Sequence, residues 1–504
     1  MDLMRAIAFS VLTIVATVAT SLPVLASGVS IQAELDAATE ISKVQPSAEL
    51  IERIELQPSL DDPDVRRAID LDPKDYPYRP STALVRHGLP FFEYYALREG
   101  SRHVVHPMAL GRFLLRNASG GSADKVLSGA LGVAHHLPNG GLAWYYPRHY
   151  RVARMLGKNL KYSSISQGTI IAGLTAMAHA GTADPAIASK AFEAMLWPFE
   201  LGGVNLANLA VLEMPSFAGP PEIILNGWID ALLHIRDHGE ISRNQNALDF
   251  FKSNVSFLSK ILPNFDAREA RISRYSDVSP YRAKVRLAAP EDFAGLQLLY
   301  RPKIDGLPAI RVPLESPSDA AEVSIYDNRI IRQNGRDAQV WLSCSQLYET
   351  VLVSQSSEMT VAIGAGKIDR KATTPGSQGN QLSFESRQDG NYRVVEIAAD
   401  DGLICGYPTN FSKPGGRNSY HAYHIVGLML VAMSPGLDEP VRKTLIQWAL
   451  KWKTDYEYLE KNEGLSFIPL QEMLLDIGSN QALVKYTDFD ILLRDVLAVL
   501  ESDQ

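Results

Sequence analysis

Between about Leu84 and Leu262, apolar residues recur three and four positions apart, the periodicity of helices that bury one face. His106-Pro107-Met108-Ala109-Leu110-Gly111 opens one such stretch, with proline in its first turn. Ser166-Gln167-Gly168 opens a second, continued by Ile170, Ile171, Leu174 and Met177. Leu225-Asn226-Gly227 opens a third, continued by Ile229, Leu232 and Leu233. Each stretch ends near a glycine: Gly120, Gly181 and Gly239. Paired amphipathic helices at this spacing predict a mainly α chain built as an α/α toroid, or incomplete α/α barrel.

From about Asp292 to Tyr407 the pattern changes to short runs rich in β-branched and aromatic residues. Examples are Ala338 to Leu342, Thr360 to Ile363 and Tyr392 to Ile397. Turn signals accompany them: Asp327-Asn328, Asn334-Gly335 and Asp389-Gly390-Asn391. This predicts an inserted all-β, sandwich-like domain. Helical periodicity returns from Tyr420 through Ile425, Leu428, Leu445, Trp448, Ala449 and Trp452. The expected order is a signal peptide at 1–26 and a lead-in at 27–80. The first part of the toroid follows at 81–291, the β insertion at 292–407 and the rest of the toroid at 408–504. Within the lead-in, Ser47 to Glu55 reads as one short helix.

The N-terminus changes the picture most. After Arg5, a largely apolar stretch runs from Ala6 to about Leu25, and Val24-Leu25-Ala26 leads into Ser27. Small residues at that junction, with polar Thr, Ser and Pro23 diluting the stretch, predict a cleaved signal and a periplasmic or secreted protein. The alternative is an N-terminal membrane anchor. The two cysteines, Cys344 and Cys405, are then either a disulfide formed in an oxidising compartment or two buried thiols. At 504 residues the chain is long enough for two or three domains. Its formal net charge of -8 argues against nucleic acid as a partner. A homodimer is compatible with the sequence. Asn117-Ala118-Ser119 and Asn254-Val255-Ser256 are glycosylation sequons in a glycosylating host.

Four local sequences carry a resemblance. They are Tyr162-Ser163-Ser164-Ile165-Ser166-Gln167-Gly168; Glu213-Met214-Pro215 followed by Pro220-Pro221 and Leu225-Asn226-Gly227; Phe265-Asp266 leading to Ser273-Arg274-Tyr275-Ser276; and Tyr420-His421-Ala422-Tyr423-His424-Ile425, with Trp448 and Trp452 downstream. Their order resembles the C-terminal catalytic domain of D-glucuronyl C5-epimerases, which act on heparosan and heparan precursors. The His106-Pro107 helix and Ala143-Trp144-Tyr145-Tyr146 fit the same family. The resemblance covers about residues 75 to 290 and 415 to 455. Two departures stand out. The family reads Glu-Tyr-Pro where this chain has Glu213-Met214-Pro215, and the missing tyrosine is one of its functional residues. The family also runs almost directly from the third motif to the fourth.

The resemblance implies uronyl C5 epimerisation of a uronic-acid-containing polysaccharide. That reaction removes a proton α to a carboxylate and returns one on the opposite face, which needs two proton-transfer groups. It also needs cations or hydrogen-bond donors on the substrate carboxylate, and no cofactor. Tyrosine suits the transfer because its phenol both donates and accepts. Tyr275 and Tyr420 match the family's proton-transfer tyrosines, and Glu213 matches its acidic residue, as base or hydroxyl-orienting group. Arg274, His421, His424, Gln167 and Asn226 are expected to bind substrate, although Gln167 and Asn226 can equally cap helices. His421 and His424 also form half of a metal site, but no third ligand at metal spacing accompanies them, so no metal is expected. His135-His136 and Tyr145-Tyr146 either line a sugar groove or belong to loop and core. Two alternatives stay open: a polysaccharide lyase, which takes the same proton and expels the C4 substituent, and a non-catalytic glycan-binding or assembly protein.

Overall fold

A computed structural model describes residues 29–41, 55–56, 66–67, 84–146 apart from 87 and 97–99, 162–314 apart from 214 and 216–218, 329–364, 381–397, 405–408, 417–479, and 494–499 apart from 497. The signal segment 1–26 and Met214 lie outside these residues. So does the expected helix from Ser47 to Glu55, except that Glu55 itself begins a strand.

The described helices, in chain order, are α1 (Ile31–Ala37), α2 (Pro107–Arg116), α3 (Ala123–Gly132), α4 (Ser164–His179), α5 (Pro185–Glu193), α6 (Leu225–Ser242), α7 (Gln245–Ile261), α8 (Tyr420–Ala432), α9 (Glu439–Glu463) and α10 (Leu470–Ser479). Helix α2 packs on α4, α4 on α6, and α6 on α8, while α5, α7 and α9 each back the inner helix that precedes them. Composition explains which helices lie inside. Ser164 to Met177 is apolar or small nearly all round, and so is His421 to Ala432, and both runs are buried almost throughout. By contrast α7 buries only Ala247, Phe250, Phe251, Asn254, Val255, Phe257, Leu258 and Ile261, most of one stripe. Asn254 is among them and is fully buried, its Oδ1 accepting from Trp228 Nε1 at 3.2 Å, so its sequon is closed to glycosylation.

Among the described residues the chain is helical only in part. Helices and sheets share the described residues, and no sheet closes into a barrel. Where a helical pattern was expected to begin at Leu84, a five-stranded antiparallel sheet stands instead, ordered Glu55–Leu56, Gly100–Val104, Leu89–Ala96, Leu84–Arg86 and Arg66–Arg67. Leu89-Pro-Phe-Phe-Glu-Tyr-Tyr-Ala is rich in aromatics, which favour a pleated surface, and that preference outweighs its loose helical spacing.

Strands between α7 and α8 begin with Asp266–Ala267 and end with Tyr407–Pro408, so they start ahead of the pattern change near Asp292. Val278–Leu287 alternates buried and exposed residues in its second half, as a strand with one wet face must. It is central in a five-stranded antiparallel sheet with Arg329–Asn334, Asp337–Ser345, Met359–Gly364 and Gln381–Glu385. A six-stranded sheet carries Gln297–Pro302, Ile310–Pro313, Tyr348–Ser354, Tyr392–Ile397 and Arg387–Asp389. Val285, Val340 and Val361 of the first sheet and Leu298, Tyr300, Leu352 and Val395 of the second belong to one buried cluster.

The sixth strand of that second sheet is Thr39–Glu40, paired in parallel with Ile310–Pro313. Helix α1 covers the sheet's outer face, setting Ile31 and Leu35 on Leu299, Val351, Val353 and Val394. Glu34 pairs with Arg301 at 2.9 Å, and Arg301 also pairs with Glu396 at 3.2 Å and with Glu349. The start of the expected lead-in is therefore built into the β region.

A disulfide joins Cys344 to Cys405, whose Cα atoms are 5.2 Å apart, within ordinary bridging reach. It ties the five-stranded sheet to Tyr407–Pro408, which pairs with Ile272–Ser276. Gly406 makes that return possible. It has φ +85°, and a Cβ there would sit 2.5 Å from the Ser276 carbonyl oxygen. The returning chain thus lies against the strand by which it left, beside the ends of α6, α8 and α9.

Candidate functional site

Strand Ile272–Ser276 and the first turn of α8 bring together the two tyrosines singled out in the sequence. The rings of Tyr275 and Tyr420 meet edge to face with centroids 4.8 Å apart, and both are half-buried. Tyr420 opens α8, where Asn418 Oδ1 accepts from the backbone N–H groups of Tyr420 at 3.0 Å and His421 at 3.3 Å. That cap substitutes for Ser419, whose side chain makes no capping bond.

Glu213 stands at the neighbouring helix start. Leu212, next to it, accepts from Ser164 N–H at the head of α4. The Glu213 carboxylate lies over the first turn of α6, where a Cβ on Gly227 would come within 1.9 Å of Oε2. Only glycine admits that approach, which explains the Leu225-Asn226-Gly227 entry. Oε2 is buried and makes no hydrogen bond among the described residues. Burial first, then the negative charges of Glu222 and Asp230, push the Glu213 carboxyl up to about 8, with the Gly227 amide pulling slightly the other way. At neutral pH Glu213 is therefore largely a neutral carboxylic acid, a hydrogen-bond donor.

The remaining candidates are placed differently. His421 and His424 share the buried side of α8 and are fully enclosed. Ser273 Oγ lies 2.8 Å from His421 Nδ1 and 2.7 Å from His424 Nδ1. His421 Nε2 lies 3.2 Å from the Trp452 carbonyl, and Ser273 N–H donates to His421 Nδ1 at 3.2 Å. One set of protons satisfies every contact: His424 Nδ1–H to Ser273 Oγ, Ser273 O–H to His421 Nδ1, and His421 Nε2–H to the carbonyl. Both rings are then neutral, as their burial demands: it takes His421 down to about 3 and His424 well below the usual range. The pair knits strand to helices, and His424 Nε2 is left without a partner among the described residues.

Arg274 is also engaged. Its Nη1 donates to the Cys405 carbonyl at 3.0 Å, and burial lowers its pKa. Gln167 is fully buried, its amide donating to Leu142 O at 2.7 Å and Ala191 O at 2.8 Å, so it braces the helices. Asn226 has its Oδ1 buried beside Gly227 with no partner among the described residues. Tyr145 and Tyr146 are core residues. His135 is half-buried with its ring edge-on to Tyr145 at 5.2 Å, and His136 is exposed. Asp266 and Trp452 form a joint: Asp266 Oδ1 accepts from Trp452 Nε1 at 3.1 Å and from Lys451 Nζ at 2.8 Å. No group of three potential metal ligands occurs among the described residues.

Several polar groups escaped notice in the sequence. Tyr423 Oη donates to Asp230 Oδ1 at 2.7 Å, and His234 Nε2 lies 3.3 Å from Asp230 Oδ2. The signals were present, since Tyr423 follows Tyr420 by three on one helix face and His234 follows Asp230 by four. Burial would raise Asp230, but His234 and Tyr423 hold it below the usual carboxylate range. Asp277, which accepts from Ile223 N–H and Ser345 Oγ at 2.7 Å each, is raised by burial to about 7.

Glu213 and Asp277 have a consequence for stability. Their folded pKa values lie above the unfolded ones, so across pH 4 to 8 the folded state holds protons that the unfolded state has released. Each therefore makes the fold less stable as pH rises through that window. Glu213→Gln removes one such group. Its melting temperature relative to the parent should climb steadily between pH 5 and pH 8.5; a difference that stays flat across that range would refute the buried, proton-holding Glu213.

The family model of the D-glucuronyl C5-epimerase C-terminus matches residues 140–293. A comparison with curated proteins found no match. The matched span holds the first three motifs together with Glu213 and Tyr275, and the fourth motif meets them through the ring contact of Tyr420. Over residues 140–293 the chain thus carries the domain of the D-glucuronyl C5-epimerase family that its motifs resemble.

Proposed function

We propose that the protein is a uronyl C5-epimerase-like enzyme acting on uronic-acid-containing polysaccharide, with Tyr420 and Tyr275 as proton-transfer groups. The observation that carries this reading is the arrangement at the inner helix starts. Two tyrosines in ring contact meet at the head of α8, and on the head of α6 stands a neutral carboxyl that meets the Gly227 amide and whose Oε2 has no hydrogen bond among the described residues. A neutral Glu213 can donate a hydrogen bond to the substrate carboxylate as charge develops on it. A carboxylate there would repel it. Helix N-termini add positive potential at the same end, which suits a polyanion. In this reading the helical hairpins are an incomplete α/α toroid with the β region inserted between its third and fourth hairpins. The protein works as an exported, periplasmic or secreted enzyme.

The test is incubation with heparosan and other uronate polymers in heavy water, followed by NMR and ultraviolet absorbance. Deuterium at C5 without new absorbance supports the epimerase. Absorbance from an unsaturated uronate assigns a lyase instead, and binding with neither signal assigns a glycan-binding protein.

A further inference from the structure

The two sheets of the β region treat their charges differently. On the outer face of the six-stranded sheet, Arg301 pairs with Glu34, Glu349 and Glu396, Arg311 with Glu40, and Arg387 with Asp389 and Glu396. The five-stranded sheet turns Val285, Val340 and Val361 inward, so the residues that alternate with them face outward. On Val278–Leu287 these are Arg282, Lys284 and Arg286, all exposed. Register sets their neighbours. Arg286 lies opposite Asp337 and pairs with it at 2.8 and 3.0 Å, with Thr360 on its other side and Glu385 beyond. Lys284 lies between Gln339 and Ala362, with Arg332 beyond Gln339 and Ser383 beyond Ala362. Arg282 lies opposite Trp341, its guanidinium carbon 4.8 Å from the ring centroid. The carboxylates of Asp337 and Glu385 thus both belong to the row of Arg286. Arg282, Lys284 and Arg332 are exposed and meet no carboxylate among the described residues.

Three unpaired cations on one face repel one another and add nothing to the packing of the sheet, and they stand on a chain whose formal net charge is -8. We propose that this face binds an acidic polysaccharide, with Arg282, Lys284 and Arg332 on its carboxylates and Gln339 and Ser383 on its hydroxyls. This rests on the uronate-polymer reading above and adds a second site to it, on the β region. Residues two apart on a strand stand about 7 Å from each other, and Arg332 stands two strands, about 10 Å, from Lys284. Cations spread in this way, with an amide and a hydroxyl among them, match carboxylates separated by hydroxyls along an extended sugar chain. Nucleic acid fits less well, because Trp341 already carries a guanidinium on its ring where a base would stack. Tyr275 precedes Arg282 by so few residues that at most about 25 Å separates them. A polymer anchored on this face can therefore present another of its repeats to the tyrosines.

The test measures binding separately from chemistry. Heparosan and other uronate polymers, and heparosan with its carboxylates reduced to hydroxymethyl groups, are titrated by calorimetry. The proteins compared are the parent and the triple variant Arg282→Gln, Lys284→Gln, Arg332→Gln, which alters exposed side chains only. The triple variant should bind the carboxylate polymer about tenfold more weakly, the scale of three exposed ion pairs, and the difference should shrink as salt rises. It should bind the reduced polymer as the parent does. The charge-neutral pair Arg286→Gln with Asp337→Asn, in the neighbouring row, should leave binding unchanged. Where C5 exchange is measurable, the triple variant should raise KM for long polymer with kcat changed by less than about threefold, and should treat a short oligosaccharide as the parent does. Equal binding by parent and triple variant, equal losses on both polymers, tighter binding of single-stranded DNA than of any uronate polymer, or no binding by the parent overturns the proposal. Binding that depends on the three cations, without C5 exchange in the parent, would leave this surface standing and remove the epimerase reading. Exchange with an unaffected triple variant would do the reverse.

Discussion

Tyr420→Phe is expected to cut C5 proton exchange by about 10²-fold or more, the scale of a lost general acid or base, while leaving the fold nearly intact. The substitution keeps the ring that meets Tyr275 edge to face and removes only the hydroxyl. The cap on α8 also survives, because Asn418 accepts from backbone N–H groups. The loss should appear in kcat and kcat/KM together, as for a group that acts in the transition state. Tyr423→Phe is the informative companion. It lies on the same helix face but its hydroxyl donates to Asp230, so it should leave the proton transfer largely unchanged. Deuterium incorporation by NMR decides between them. Exchange at the parental rate in Tyr420→Phe, with unfolding unchanged, would remove Tyr420 from the chemistry.

The second large effect concerns the disulfide. Replacing both Cys344 and Cys405 with serine is expected to lower stability by about 4 kcal/mol, the loop-closure value for a bond spanning 61 residues. The consequence should reach the site as well. Cys405 supplies the carbonyl that accepts from Arg274 at 3.0 Å and from Gln346 at 2.7 Å, and Arg274 adjoins Tyr275 on its strand. Loss of the link loosens the returning chain against Ile272–Ser276, so exchange should fall along with stability. Denaturant titration of the parent, with and without reductant, and of the double serine variant reads the effect. A midpoint that moves by less than the error of the fit would show that packing alone holds the two segments.

Motif order alone was enough to find the family, because each motif sits where a chain must open a helix or turn a strand. Local rules read those positions well: Pro107 in a first turn, glycine at Gly227, and the β-branched and aromatic run of Tyr392 to Ile397. The helices α4, α6 and α8 were legible from their entries and their long apolar runs. Residues 84–104 misled because a short apolar and aromatic run satisfies both periods, and pairing with strands distant in sequence decides between them. The place of α1 was equally hidden. Ile31 and Leu35 pack on Leu299, Val351, Val353 and Val394, distant in sequence, a contact no local pattern encodes.

Roles within the site divide in the same way. The residue types that proton transfer requires were visible, and so Tyr275, Tyr420 and Glu213 could be named from their motifs. Which polar groups face a ligand was decided by tertiary structure alone, because that depends on what each side chain meets. Arg274, His421, His424 and Gln167 meet carbonyls and a serine, which engages most of their polar atoms but leaves Arg274 Nε and His424 Nε2 buried without a partner among the described residues. Composition supplies the charges, but only packing decides which of them remain unpaired.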